Sequence, residues 1–153
     1  MKKNFFLISL TIILIFFTGC QKYEEGPLIS LKKPKNRLYG EWDIAKYYIN
    51  GNDSTQTYRD RYTSHVSFNK GRDDASMSAY YTMENNFLGN WRFTNKDATK
   101  FLLGNNNWVD SIIVYPFNAS EEVVFEIKKL TSYNLNIESN INNYDFRIEL
   151  IKK

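Results

Sequence analysis

Tyr144-Asp145-Phe146-Arg147-Ile148-Glu149-Leu150 decides the fold. Tyr144, Phe146, Ile148 and Leu150 alternate with Asp145, Arg147 and Glu149. Successive side chains of a strand point to opposite faces, so this stretch predicts a strand over 144–152 with the apolar set inward. Working outward, similar patterning predicts strands over 41–50, 61–69, 75–83, 88–94, 99–103, 108–115, 123–130 and 133–139. Between them lie turn clusters such as Asn50-Gly51-Asn52-Asp53, Asn69-Lys70-Gly71-Arg72, Glu84-Asn85-Asn86, Asn95-Lys96-Asp97 and Gly104-Asn105-Asn106-Asn107. The residue types in those clusters favour turns. Helix competes over 121–130 alone, and Val123-Val124-Phe125 with Ile127 tips that segment to strand. The expectation is an all-β chain. Short loops favour antiparallel, up-and-down connections, and closure into a β-barrel of about eight strands leaves no free edge.

The chain has 153 residues, 20 basic and 17 acidic, and a single cysteine, Cys20. Met1-Lys2-Lys3 opens it, an apolar run follows from Phe5 to Phe17, and Thr18-Gly19-Cys20 closes the run. The run falls short of the roughly 20 apolar residues that span a bilayer. A basic start, a short apolar run and small residues describe a secretory signal over 1–19. Cys20 stands where cleavage is expected, and the whole resembles the lipobox of bacterial lipoproteins, with Phe17 where that family usually has Leu. The resemblance implies that Cys20 carries the lipid and becomes the new N-terminus. An outer-membrane lipoprotein of a Gram-negative bacterium is the expected setting, with the barrel on the periplasmic or surface-exposed face.

Removing residues 1–19 leaves 134 residues, with 18 basic and 17 acidic side chains. That near-neutral balance lacks the basic footprint of a nucleic-acid binder. With Cys20 committed to lipid, no thiol remains for a disulfide, a redox pair or a zinc site. Residues 20–37, with Gly26, Pro27 and Lys32-Lys33-Pro34-Lys35, read as a flexible tether. Its lysines are a solvated linker or a contact for anionic headgroups. The barrel is then expected over 38–153. Behind Cys20, Gln21-Lys22-Tyr23-Glu24-Glu25 resembles the surface-export signal of some Gram-negative lipoproteins. Asp53-Ser54-Thr55 and Asp110-Ser111-Ile112 resemble short O-glycosylation sites of the same bacteria.

Leu38-Tyr39-Gly40-Glu41-Trp42-Asp43-Ile44 resembles the opening of lipocalins and lipocalin-like bacterial domains, whose first strand begins Gly-x-Trp. Gly89-Asn90-Trp91-Arg92-Phe93 and the run from Phe125 to Thr131 are similar to later strands of that group. The resemblance implies a structural role for Gly40 and Trp42, with Trp42 plugging the closed end of the barrel. It also implies a small apolar or amphipathic ligand. The rival expectation is a barrel filled by its own side chains, acting as an interaction or inhibitor module for a protein or glycan. Trp91 and Trp108 are expected to face either lumen or solvent.

Nothing in the chain spells out catalysis. His65, the one histidine, falls on the polar face of its predicted strand. Asp73-Asp74 and Glu121-Glu122 lie in predicted turns, and no carboxylate loop has the alternating spacing that binds calcium. The expectation is a non-enzymatic protein without cofactor or metal, its ligand-binding residues unassigned.

Overall fold

The computed structural model describes residues 22–27, 30–60, 65–71, 80–83, 86–105 and 122–153. Two short helices, α1 (Pro34–Leu38) and α2 (Thr55–Arg59), accompany nine strands. These are β1 (Gly40–Ile49), β2 (Asn52–Asp53), β3 (His65–Asn69), β4 (Tyr80–Met83), β5 (Asn86–Phe93), β6 (Lys100–Asn105), β7 (Val123–Leu130), β8 (Asn134–Ile141) and β9 (Tyr144–Lys152). Every pairing is antiparallel, and strands β3 to β9 follow one another in chain order. β1 pairs with β3 on one edge and with β9 on the other. The succession therefore returns to its first strand, and eight strands make an up-and-down barrel. The two-residue β2 folds back on the end of β1.

Local chemistry accounts for the tight corners. Asn50 and Gly51 between β1 and β2, and Asn142 and Asn143 between β8 and β9, all adopt positive φ. A two-residue hairpin turn with positive φ at both positions matches the twist of its flanking strands, and Asn and Gly tolerate that backbone best. Asn95 holds the β5–β6 corner differently, its side-chain oxygen accepting hydrogen bonds from the amides of Thr99 (3.1 Å) and Lys100 (3.2 Å).

Inward positions build one core. Trp42, Val66, Phe68, Phe101, Phe125, Ile137 and Ile148 are buried within it. Its centre is aromatic. Phe68 meets Trp91 and Phe101 edge-on, at centroid distances of 6.1 and 5.9 Å, and Phe101 stacks on Phe125 at 5.5 Å. Edge-to-face and offset-stacked pairs at such spacings are favourable beyond the area they bury.

Register shifts in β1 and β7 alter the inside–outside alternation. In β1 the register against β9 slips between Ile44 and Lys46, so Trp42, Ile44 and Tyr47 are buried while Lys46 and Tyr48 point outward. In β7 the slip between Ile127 and Lys129 turns both Lys128 and Lys129 away from the core, and Leu130 returns to it. An extra residue in one strand does this by reversing side-chain parity beyond it.

Several expectations change. The stretch read as a tether is partly built into the fold: Tyr23 and Arg37 are buried, and Pro34–Leu38 is helical. Proline at the start of that helix is favourable there, where its missing N–H costs nothing. Thr55–Arg59, which has no strand pattern, forms α2, held to the barrel by Tyr58 at 4.6 Å from Tyr47. Tyr144 is 53% exposed, because the hairpin turn lifts it from the end of the barrel. The strand expected over 108–115, with Trp108, lies outside the described residues, as do Cys20, Asp73-Asp74 and Asp110-Ser111-Ile112.

Candidate functional site on the outer face

Strand register lines up a row of outward side chains across five strands. Lys100 of β6 sits opposite Glu126 of β7, Glu126 opposite Glu138 of β8, Glu138 opposite Arg147 of β9, and Arg147 opposite Tyr48 of β1. Directly opposite residues bring their side chains into contact range. Asp53 of β2 continues the row beyond Tyr48. The row floors a groove of about 660 Å³. Val124, Ser139 and Asn140 line it too.

Arg147 is the organising charge. Its Nη1 donates to Glu25 Oε1 (2.8 Å) and Glu138 Oε1 (2.9 Å), and its Nη2 to Glu25 Oε2 (3.0 Å) and Glu149 Oε1 (3.2 Å). The Glu25 pair is bidentate, a geometry that suits the planar guanidinium. These bonds, Glu25 foremost, raise the Arg147 pKa further still. They also hold the Glu25 carboxyl below the ordinary carboxylate range, Arg147 outweighing the opposing effect of burial. Lys128, turned outward by its bulge, reaches Glu24 (2.9 Å), Glu126 (3.4 Å) and Glu138 (3.6 Å), and its pKa is raised, chiefly by Glu24.

Glu24 and Glu25 belong to the segment Lys22–Pro27, which therefore straps across the barrel wall. Its backbone joins β7 through Glu25 N–H to Lys128 O at 2.7 Å. Asn136 Nδ2 donates to Glu25 Oε2 at 2.7 Å. Tyr23 turns inward, and its hydroxyl donates to Ala98 O at 3.2 Å. Burial raises the Tyr23 pKa, and the neighbouring Arg37 partly opposes it.

Trp42 is buried near the start of β1. Its indole Nε1 donates to Leu38 O at 2.8 Å, tying α1 to that strand. Lys152 Nζ lies 4.9 Å from the ring centroid and donates to Arg37 O and Tyr39 O. Desolvation first, and then Lys32, lowers the Lys152 pKa. Gly40 has φ +115, a backbone conformation that favours glycine, and a Cβ there would stand 2.9 Å from Lys152 Cε, near the end of a flexible side chain that would have to shift. Arg37 donates to Leu130 O, while its buried Nε has no partner among the described residues.

The other singled-out residues scatter. Trp91 faces the core, its Nε1 donating to Asn69 O at 3.2 Å. His65 opens β3 opposite Asp43 on the outer side. Glu122 is exposed and lies 3.8 Å from Arg92. Thr55 Oγ1 accepts from the Tyr47 amide at 3.0 Å, and Asp53 Oδ1 from the Thr55 amide at 2.9 Å, a turn-stabilising use of that Asp-Ser-Thr triplet. Tyr48, Glu25, Glu138 and Arg147 emerge from three-dimensional register. The signal available in the sequence was the doubled polar pair Lys128-Lys129, which marks a bulge within an alternating strand.

No family model and no curated protein matches this chain. A solved structure described as a lipocalin-like protein from Bacteroides uniformis ATCC 8492 is similar, with TM-score 0.49 and 12% sequence identity, covering 76% of this chain and 99% of that one.

Proposed function

We propose that this protein is an outer-membrane lipoprotein, anchored through Cys20, whose barrel binds a polar glycan in the groove on its outer face. The observation that carries this reading is the outward row Lys100–Glu126–Glu138–Arg147–Tyr48 above a core of packed aromatic rings. Tyr48 offers a ring on which a sugar can stack, and the flanking carboxylates, held in place by Arg147, offer acceptors while Lys100 and Asn140 offer donors to hydroxyl groups. The described inward positions are occupied by Trp42, Phe68, Trp91, Phe101 and Phe125, which favours this reading over an apolar ligand in the lumen. An eight-stranded barrel is narrow enough for side chains to fill it.

A glycan array probed with the chain from residue 20 tests this reading. Bound glycans should be lost with Tyr48→Ala and with Arg147→Ala, and retained with Lys96→Ala on the β5–β6 corner. Binding that is indifferent to Tyr48 and Arg147, or absent across the array, would remove the groove as the site.

A further inference from the structure

The residues nearest the proposed anchor suggest how the barrel stands on the membrane. Lys22, Glu24, Glu25, Lys32, Lys33, Lys35 and Arg37 are the charged residues of 22–37. Both carboxylates are turned onto the barrel wall, Glu24 to Lys128 and Glu25 to Arg147. Lys22, Lys32, Lys33 and Lys35 are exposed and carry no ion pair among the described residues. Lys33 O accepts from the Asn36 and Arg37 amides at the start of α1, and α1 meets Lys152 through Arg37 O and Trp42 through Leu38 O, which brings the lysine run to the Trp42 end. The same end displays apolar surface: Leu31 is fully exposed and Tyr133, in the β7–β8 turn, is 71% exposed. Tyrosine with neighbouring lysines is a composition suited to a membrane–water interface.

We propose that the Trp42 end of the barrel rests directly on a lipid surface with anionic headgroups, its free lysines facing the phosphates. The strap fixes this geometry. Tyr23 is buried and only two residues separate it from Cys20, so the three steps between them reach roughly 10 Å at full extension. A lipid on Cys20 then holds that end against the bilayer and leaves the far end, with the Asn142-Asn143 hairpin, outermost. This inference rests on the Cys20 anchor and adds an orientation and a lipid preference to it.

The test uses the chain from residue 20 with Cys20→Ser, which keeps the strap and the whole barrel but carries no acyl chain. Its flotation with phosphatidylcholine vesicles, with and without phosphatidylglycerol, reads the headgroup preference. Each lysine near an anionic surface is worth about fivefold in partition at low salt. Binding should require phosphatidylglycerol and fall about 25-fold or more in Lys32→Glu/Lys33→Glu. Lys46→Glu/Arg59→Glu makes the same change in net charge on another part of the barrel and should lose less than about threefold. No preference for phosphatidylglycerol, or equal losses in the two double variants, would overturn the inference. The anchor is read separately, by whether Cys20→Ser releases the protein from cell membranes washed in high salt, which screens the lysines and leaves an acyl anchor in place. An anchored protein without vesicle preference would leave the lipoprotein reading standing and sink this one.

Discussion

Glu25 and Arg147, 122 positions apart, meet in a two-point carboxylate–guanidinium pair at 2.8 and 3.0 Å on the outside of the barrel. The pair joins the N-terminal strap to β9 and places Arg147 at the centre of the outer row. Because Arg147 depresses the Glu25 pKa, the sign of its pH dependence follows. The pair's stabilisation is complete above the unfolded glutamate value of about 4.3. It is lost as pH falls from there through the lower folded value. The protection of the Glu25 and Gly26 amides, relative to their intrinsic exchange at each pH, should therefore fall below about pH 4, and Glu25→Gln should lower it at neutral pH. Both side chains are one-third exposed, so a double-mutant cycle should give a coupling of only about 1 kcal/mol.

Tyr23 holds the same strap from within. Tyr23→Ala removes a buried ring and its hydrogen bond to Ala98 O. A loss of about 3 kcal/mol is expected in chemical denaturation, by analogy with other buried aromatics. Proteolysis should then cut near residues 22–27 before the barrel unfolds. A strap that stays protected in this variant would mean that the Glu25 and Lys128 contacts suffice.

Trp42→Ala should cost about 3–5 kcal/mol, the range for large buried aromatics, and lower the thermal midpoint strongly. Trp42→Phe separates the ring from its donor. It keeps an aromatic surface beneath Lys152 but leaves Leu38 O without the indole N–H. The lost hydrogen bond alone should cost about 1 kcal/mol, so the two variants should be well separated in denaturant midpoint.

Gly40→Ala should cost about 1–3 kcal/mol for the strained backbone, and more if Lys152 cannot move aside. Lys152→Ala in the Gly40→Ala background should recover the steric part and leave the strain. Equal stabilities of the single and double variants would show that backbone conformation alone sets the demand for glycine.

Much of this fold was legible in the sequence because burial imposes a period of two. Val123–Leu130 and Tyr144–Lys152 fall where their alternation puts them. Gly40 and Trp42 sit at the start of β1. What stayed hidden depends on long-range partners. Tyr23 lies in an unpatterned segment, and its burial comes with distant partners, Ala98 O for its hydroxyl and Arg37 over its ring. The outer row escaped notice because polar outward positions look like solvated surface one strand at a time. Their alignment arises from register across five strands, and Tyr48 joins it because of the bulge beside Ala45.

The proposed function requires a barrel filled by its own side chains, with binding outside it. Titration of the chain from residue 20 with cis-parinaric acid, a fluorescent fatty acid, tests this most directly. With Phe68, Trp91 and Phe101 packed together, no saturable binding and no energy transfer from Trp91 are expected. Saturable binding that quenches Trp91, persists in Tyr48→Ala and is abolished by Leu103→Trp inside the barrel would contradict it and return the ligand to the lumen.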